Sequence, residues 1–504
     1  MPKITSYFYY KNTLNRAEDG LGDGTKYATA TAAAVDQTNK TFTLSGLSIL
    51  ADLGADADDK FNGCLLYFLS TGNIYHIVDW TATSDEALVF ETPDVDDIGS
   101  CEIRINLREA ASDTGCPVYS LTDGRTSTYW RGAGDNQTQA IQLLLPNFIE
   151  DGGFEAQSAG TVVSPWTAES GQWAISSTSP LLGSRMAVYT QSAADAYLKQ
   201  NLIFALEKGK IYRIVMKAQA IGANPSGDVL QVKVRQRLSP NKVVQSGMDW
   251  KPALTTTAAW VETTFIPDFS SDMLELFINA LGSSGSWGSC TGLCIDEVYI
   301  YEDIAVNRLV AFGHNWNNGE ITSIYGCRCW PGRTSFAYGN DASSNLAANQ
   351  DIDQTEPVIL SLTESHYPAW EIKLTATAGI AYEASIIFLG PVMAFAKQMN
   401  APFDPHSEQV AGIMAKTETG YTTFHKTHHK GGPYEVILSN VSATFYGEVL
   451  SWWKEVGRNR FPFFFCFDEA NSPENIKLVR ADSDWLFPYN PVTRDGRIIL
   501  VEQL

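Results

Sequence analysis

The tryptophans Trp166, Trp173, Trp250, Trp260 and Trp287, together with Tyr189, are the side chains of this chain best suited to chemistry. Flat aromatic faces stack on sugar rings, while Asn, Gln and Arg read the hydroxyl groups around them. Trp173 and Trp260 sit in alternating, strand-like segments, where a core position is expected. Trp250 follows the polar run Ser246-Gly247-Met248-Asp249, and Trp287 follows Gly282-Ser283-Ser284-Gly285-Ser286. Both are therefore expected on exposed loops, as platforms for a sugar. Trp166 and Tyr189 complete the candidate glycan-binding set.

Other reactive types are present without the spacing that chemistry needs. His425-Lys426-Thr427-His428-His429 has no acid or cysteine at ligand spacing, and its interleaved lysines repel a cation, so a polar hairpin edge is expected. Cys327-Arg328-Cys329 and the pair Cys290 and Cys294 lack a second pair at zinc spacing. The eight cysteines are scattered, as reduced thiols would be. GxSxG, HExxH, a phosphate-cradling Walker loop and GxGxxG after a strand are all missing. Carboxylates are plentiful, but a glycosidase pair needs a cleft that holds two of them about 5 to 10 Å apart. An enzyme is not expected.

Strands must position these residues. Short runs rich in Val, Ile, Thr, Tyr and Phe alternate with Gly, Asn, Asp and Ser clusters throughout. Helical spacing is clear only at Val449–Val456, beginning near Tyr446. With 504 residues the chain is too long for one core. The expectation is an all-β, multidomain protein of β-sandwich (jelly-roll) domains, one nested inside another, with few short helices. Net charge is −21, from 36 basic and 57 acidic side chains, which disfavours a nucleic-acid partner. No apolar run is long enough for a transmembrane helix, so membrane insertion is not expected. Met1-Pro2-Lys3-Ile4-Thr5 has no signal pattern, so export is not expected either.

Four units are read along the chain. Residues 1–105 form a small N-terminal β unit, with a hairpin of Leu65–Leu69 and Asn73–Asp79 around Ser70-Thr71-Gly72. Residues 106–146 and 304–396 form one discontinuous sandwich, in which Leu145 and Val306 are expected side by side in adjoining strands. Residues 147–303 are inserted into it, and residues 397–504 close the chain. In the discontinuous unit Asp123-Gly124 and Ser127-Thr128-Tyr129-Trp130, then Val306–Phe312, resemble the discoidin (coagulation factor 5/8 C-type) jelly roll. That resemblance implies either a ligand loop at Tyr129-Trp130-Arg131 or a Trp130 that plugs the barrel.

The opening Gly152-Gly153-Phe154-Glu155 and the closing Ile295-Asp296-Glu297-Val298-Tyr299-Ile300 resemble the ends of the family 4/9/22-type carbohydrate-binding jelly roll. This resemblance implies a structural Ca²⁺ held by Glu155 and Asp296 with backbone carbonyls. The C-terminal order, with Phe461-Pro462-Phe463-Phe464-Phe465-Cys466-Phe467-Asp468 before the last strand, looks like tail proteins of double-stranded DNA bacteriophages. Together these resemblances imply a structural tail or tail-tip protein, assembled in the host cytoplasm into a virion. It would be homo-oligomeric, join other phage tail proteins and present a domain to host cell-surface glycans. Two alternatives stand beside it: a purely architectural virion protein with a decorative insert, and a secreted bacterial carbohydrate-binding protein.

Overall fold

The computed structural model describes residues 6–9, 25–49, most of 61–109, 130–131, 139–144, most of 148–328, 357–374, 382–395, 408–416, 422–471 and most of 475–502. It is built almost entirely of antiparallel strands, as the alternation predicts. Among the described residues the single α-helix, Ala443–Trp452, starts where the Ser442 hydroxyl accepts the Phe445 N–H at 3.1 Å, and it runs on as a wider turn to Gly457. None of the described helices is long and apolar enough to cross a membrane.

Six strands from Thr25–Asp36 to Gly99–Ile105 close into a barrel. The expected hairpin is there, as Leu65–Phe68 paired with Ile74–Thr81. Sequence alone predicts only a small β unit here, because closure depends on a register that local alternation does not encode. Ala28, Phe42, Phe68, Ile77 and Trp80 fill the interior.

The next unit packs two sheets face to face. One runs Leu107–Glu109, Gln139–Leu144, Ala369–Leu374, Ile321–Cys327, and the other runs Val358–Ser365, Val306–Phe312, Ile386–Gly390. Ile141 and Val306 share their core, although more than 160 residues separate them in the chain. Leu145 itself lies outside the described residues. The strand before it pairs with Leu107–Glu109 and Ala369–Leu374, whereas Val306–Phe312 pairs with Val358–Ser365 and Ile386–Gly390. The two strands thus face each other across a core and do not adjoin in one sheet. Trp130–Arg131 pairs with Glu383–Ala384; Tyr129 and the DG turn before it lie outside the described residues.

Residues 148–302 form a separate two-sheet sandwich with its own core. Its first sheet runs Thr167–Ala168, Ala196–Leu202, Met273–Ala280, Leu230–Arg237, Met248–Trp250. The second runs Trp173–Ser176, Met186–Thr190, Gly292–Glu302, Tyr212–Ile221, Ala259–Phe265. The outer side of the second sheet meets the neighbouring sandwich, where the Tyr301 hydroxyl donates to the His366 carbonyl at 3.2 Å.

The closing unit is a six-stranded sheet running Met393–Ala394, Tyr7–Tyr9, Phe463–Cys466, Lys477–Ala481, Gly496–Glu502, Tyr434–Leu438. Tyr7–Tyr9, assigned from sequence to the N-terminal unit, here lies between two strands of the C-terminal one. The histidine run falls within Thr422–Gly431, paired with Glu408–Lys416 as the expected hairpin. Of the eight cysteines, Cys64, Cys101, Cys290, Cys294 and Cys466 are buried thiols outside any disulfide. Burial pushes Cys101 and Cys294 up to about 11, so both stay protonated near neutrality.

Candidate functional site

The central strand of the first insert sheet is Met273–Ala280. Leu274, Leu276, Ile278 and Ala280 point into the core, so strand alternation puts Glu275, Phe277 and Asn279 on the opposite face. Its neighbours follow the same rule. Ala196, Leu198 and Leu202 go inward while Tyr197, Lys199 and Asn201 go outward; Leu230, Val232 and Val234 go inward while Gln231, Lys233 and Arg235 go outward. Register then fixes rows across this outer face. Tyr197, Asn279 and Gln231 make one row, and Lys199, Phe277, Lys233 and Asp249 the next. Asn201, Glu275 and Arg235 make the third.

An outward sheet face is normally wet, yet the floor of this one is sealed: Glu275 and Asn279 are 1% exposed and Phe277 is 7% exposed. Flanking side chains account for part of this. Lys199 Nζ lies 3.0 Å from Glu275 Oε1 and 5.0 Å from the Phe277 ring centre, and Arg235 Cζ lies 4.5 Å from the same ring. Tyr197 meets Phe277 edge to face at 6.1 Å. The ring is thus held rigid, with cations on a face that attracts them.

A polar relay runs beside the ring. Gln231 Nε2 donates to both Asp249 oxygens, at 2.7 and 2.9 Å, and Gln231 Oε1 accepts from Asn279 Nδ2 at 3.3 Å. The relay ends at Asn279 Oδ1, which is buried and accepts no hydrogen bond among the described residues. A buried acceptor left so costs about 1 to 3 kcal/mol, which a hydroxyl donor at that atom would recover.

The sequence-derived aromatic candidates occupy other places. Trp287 is 4% exposed, and its indole N–H donates to the Leu281 and Gly282 carbonyls at 2.6 and 2.9 Å. Tyr189 is fully buried, with rings of Trp287 and Trp173 at 5.6 and 5.5 Å, and its hydroxyl donates to the Ala194 carbonyl at 3.1 Å. Trp166 is also buried, packed on Phe154 and donating to the Asp151 carbonyl at 2.9 Å. These three are core residues, not platforms. Their polar tips find backbone carbonyls, and the Gly- and Ser-rich segment before Trp287 wraps the ring. A Cβ on Gly285 would run into the Leu281 carbonyl and the Trp287 indole nitrogen.

Trp250 is half-buried. It sits opposite Val232 on the core-facing phase of its strand, so Asp249 takes the outer position. Trp173 is in the core, as expected. Trp260 is half-buried on the outer side of the second sheet, stacked on Tyr299 at 6.4 Å with Lys217 Nζ 5.6 Å from its ring. Tyr197, Gln231, Phe277 and Asn279 were missed. Their signal was the outward phase of Ala196–Leu202 and Leu274–Ala280, where aromatic, amide and charged types alternate with aliphatic ones.

Of the two proposed calcium ligands, Glu155 lies outside the described residues. Asp296 is fully buried, and its two oxygens accept the Leu182 and Glu297 N–H groups at 2.8 and 2.9 Å. The Asp151–Phe154 turn rests on the same strand, where Val298 N–H donates to the Gly152 carbonyl at 3.0 Å. A carboxylate is an oxygen donor of the kind Ca²⁺ takes, but both Asp296 oxygens here accept backbone N–H groups, and among the described residues no three His, Cys, Asp or Glu side chains gather into a metal cluster.

No family model matches the chain, and no curated protein does. Several solved structures are similar to part of it. The enzymatically active domain of bacteriophage CBA120 tailspike protein 4 is 15% identical with a TM-score of 0.25, over 31% of this chain and 21% of that one. TmCBM61 in complex with β-1,4-galactotriose is 13% identical with a TM-score of 0.23, over 31% of this chain and 98% of that one. The CBM22-1 xylan-binding domain from Paenibacillus barcinonensis is 12% identical with a TM-score of 0.21, over 29% of this chain and 89% of that one. The chain therefore spans about a fifth of the tailspike domain's length, and each likeness covers a third of this chain or less.

Proposed function

We propose that this chain is a glycan-binding attachment protein whose reader is the outer face of the Met273–Ala280 sheet. The observation that carries this reading is Asn279 Oδ1, a buried acceptor at the end of the Asp249–Gln231–Asn279 relay, on the same floor as the Phe277 ring. A saccharide supplies what that arrangement lacks: hydroxyl donors for the amide and C–H faces for Phe277 and Tyr197. The role is retention, not turnover.

The resemblance of the C-terminal region to bacteriophage tail proteins supports a position for this reader on a tail or tail tip. The barrel and the C-terminal sheet would then join neighbouring tail proteins. Single sites of this kind bind weakly, so repetition in a homo-oligomer would raise avidity by presenting many faces to one cell surface. Glu155 and Asp296 would hold a Ca²⁺ that ties the Asp151–Phe154 turn to the strand at Val298. The ion would supply stiffness away from the reader face.

The architectural alternative draws on one finding, that Trp166, Tyr189 and Trp287 are core residues. A glycan array probed with the full chain separates the two. Binding that is lost in Asn279→Ala and in Tyr197→Ala, but kept in Trp260→Ala, supports the reader. Absence of binding to every glycan, with and without Ca²⁺, leaves the architectural role.

A further inference from the structure

Resting on the reading of that face as a saccharide site, the charge pattern points further, to the class of sugar. The three rows of the outer face described above hold three cations, Lys199, Lys233 and Arg235, and two acids, Asp249 and Glu275. Glu275 is held by Lys199, and Asp249 is held by the Gln231 amide. Lys233 and Arg235 have no carboxylate partner among the described residues. They stand two positions apart on one strand, so their backbones are about 7 Å apart on the same face.

This local excess of positive charge is set in a chain of net charge −21 and pI about 4.7. Such a chain repels anions at long range, and a neutral sugar needs no cation where amides suffice. Lys233 is also half-buried, which costs hydration that an opposite charge would offset. We propose that the ligand of this face is an acidic saccharide, its anionic group seated between Lys233 and Arg235 while the ring lies toward Phe277 and the hydroxyls reach Asn279. The shared chemistry is an anion on a sugar ring, as in the carboxylate of a uronic acid or the ester of a sulfated sugar.

The test is calorimetric titration of the full chain with oligogalacturonate, with a sulfated oligosaccharide and with neutral galactan and xylan oligosaccharides. An acidic arm is expected to bind more tightly than either neutral one and to weaken as salt rises from about 50 to about 500 mM. Lys233→Met and Arg235→Gln should each cost roughly tenfold or more in affinity, the loss of one charge-assisted hydrogen bond. Lys477→Met, which removes a half-buried lysine paired with Glu502 in the C-terminal sheet, should cost nothing. Which acidic arm binds identifies the source of the anion. If neutral oligosaccharides bind and acidic ones do not, or if both variants bind acidic sugars like the parent, the anionic assignment falls and the saccharide site stands. If no arm binds, both readings fall.

Discussion

His366 Nδ1 lies 2.9 Å from Asp303 Oδ1, and this contact joins the last turn of the inserted sandwich to a turn of its neighbour. Arg213 closes the group from the insert side, its Nε 2.8 Å and its second terminal nitrogen 3.3 Å from the Asp303 oxygens. Glu262 extends it, with Arg213 at 3.6 Å and Arg328 at 3.5 Å.

Burial alone would raise the Asp303 pKa, but hydrogen bonds from His366 and Arg213 outweigh it and hold the carboxyl below its ordinary value of 3.8. A depressed carboxyl stabilises the fold fully above its unfolded pKa, and that stability is lost as pH falls through the lower folded value. Asp303→Asn should therefore cost about 2 kcal/mol at pH 7 and progressively less below pH 4. Denaturant midpoints of the insert transition at pH 7, 5 and 3 measure this; equal midpoints for parent and variant at pH 7 would count against the junction.

In the barrel, buried Asp97 accepts from Thr71 Oγ1 at 2.6 Å, Asn73 Nδ2 at 2.9 Å and the Tyr75 hydroxyl. Burial, then the bond to Asp97, pushes the Tyr75 phenol up to about 12. Its stabilising share is fully present below pH 10 and is lost as pH rises through about 12. Asp97→Ala should return one phenolate transition toward 10 and cost the barrel about 2 kcal/mol or more. Ultraviolet titration detects the first effect and thermal melting the second.

Trp287→Ala and Tyr197→Ala should part company. Removing the buried indole should cost about 3 to 5 kcal/mol, whereas Tyr197→Ala should leave stability within about 1 kcal/mol of the parent. Glycan binding should show the reverse sensitivity while the chain stays folded. A Trp287→Ala protein of parental stability would contradict its placement in the core.

At Gly152 an added Cβ would strike the Val298 carbonyl, which is backbone and cannot swing aside. Gly152→Ala is expected to destabilise the insert by about 1 to 3 kcal/mol. Hydrogen exchange at the Val298 amide, which donates to the Gly152 carbonyl, reports the change locally.

Calcium gives the last prediction. If Glu155 and Asp296 hold the ion, millimolar Ca²⁺ should raise the insert's melting temperature, a chelator should reverse the rise, and Glu155→Gln should abolish it. Mg²⁺ should not substitute, because it demands a tighter octahedron and releases water reluctantly.

The all-β class was legible because alternation is a local signal, as the hairpin of Leu65–Phe68 with Ile74–Thr81 illustrates. Strand partners were less so. Gln139–Leu144 and Val306–Phe312 line the same core, but nothing in either run says which sheet each joins. The exposure of the aromatic candidates was misread for a related reason. Trp287 and Trp250 were chosen for polar neighbours in sequence, whereas burial is decided by partners far along the chain, such as Tyr189 of the strand Met186–Thr190, whose ring packs on Trp287. Phe277 was visible only as the wrong phase of a strand: an aromatic among Glu275 and Asn279, opposite three aliphatic neighbours.

Tyr7–Tyr9 lies between Met393–Ala394 and Phe463–Cys466, and the Ser6 hydroxyl donates to the Phe467 carbonyl at 2.9 Å. Synthesis separates them: this strand leaves the ribosome before its partner, which follows about 450 residues later. At about 5 to 20 residues per second it waits tens of seconds, exposed, while the barrel and sandwiches form. Closure of this sheet is therefore a late event, and a clamp on this strand would hold it open after the barrel and sandwiches have formed.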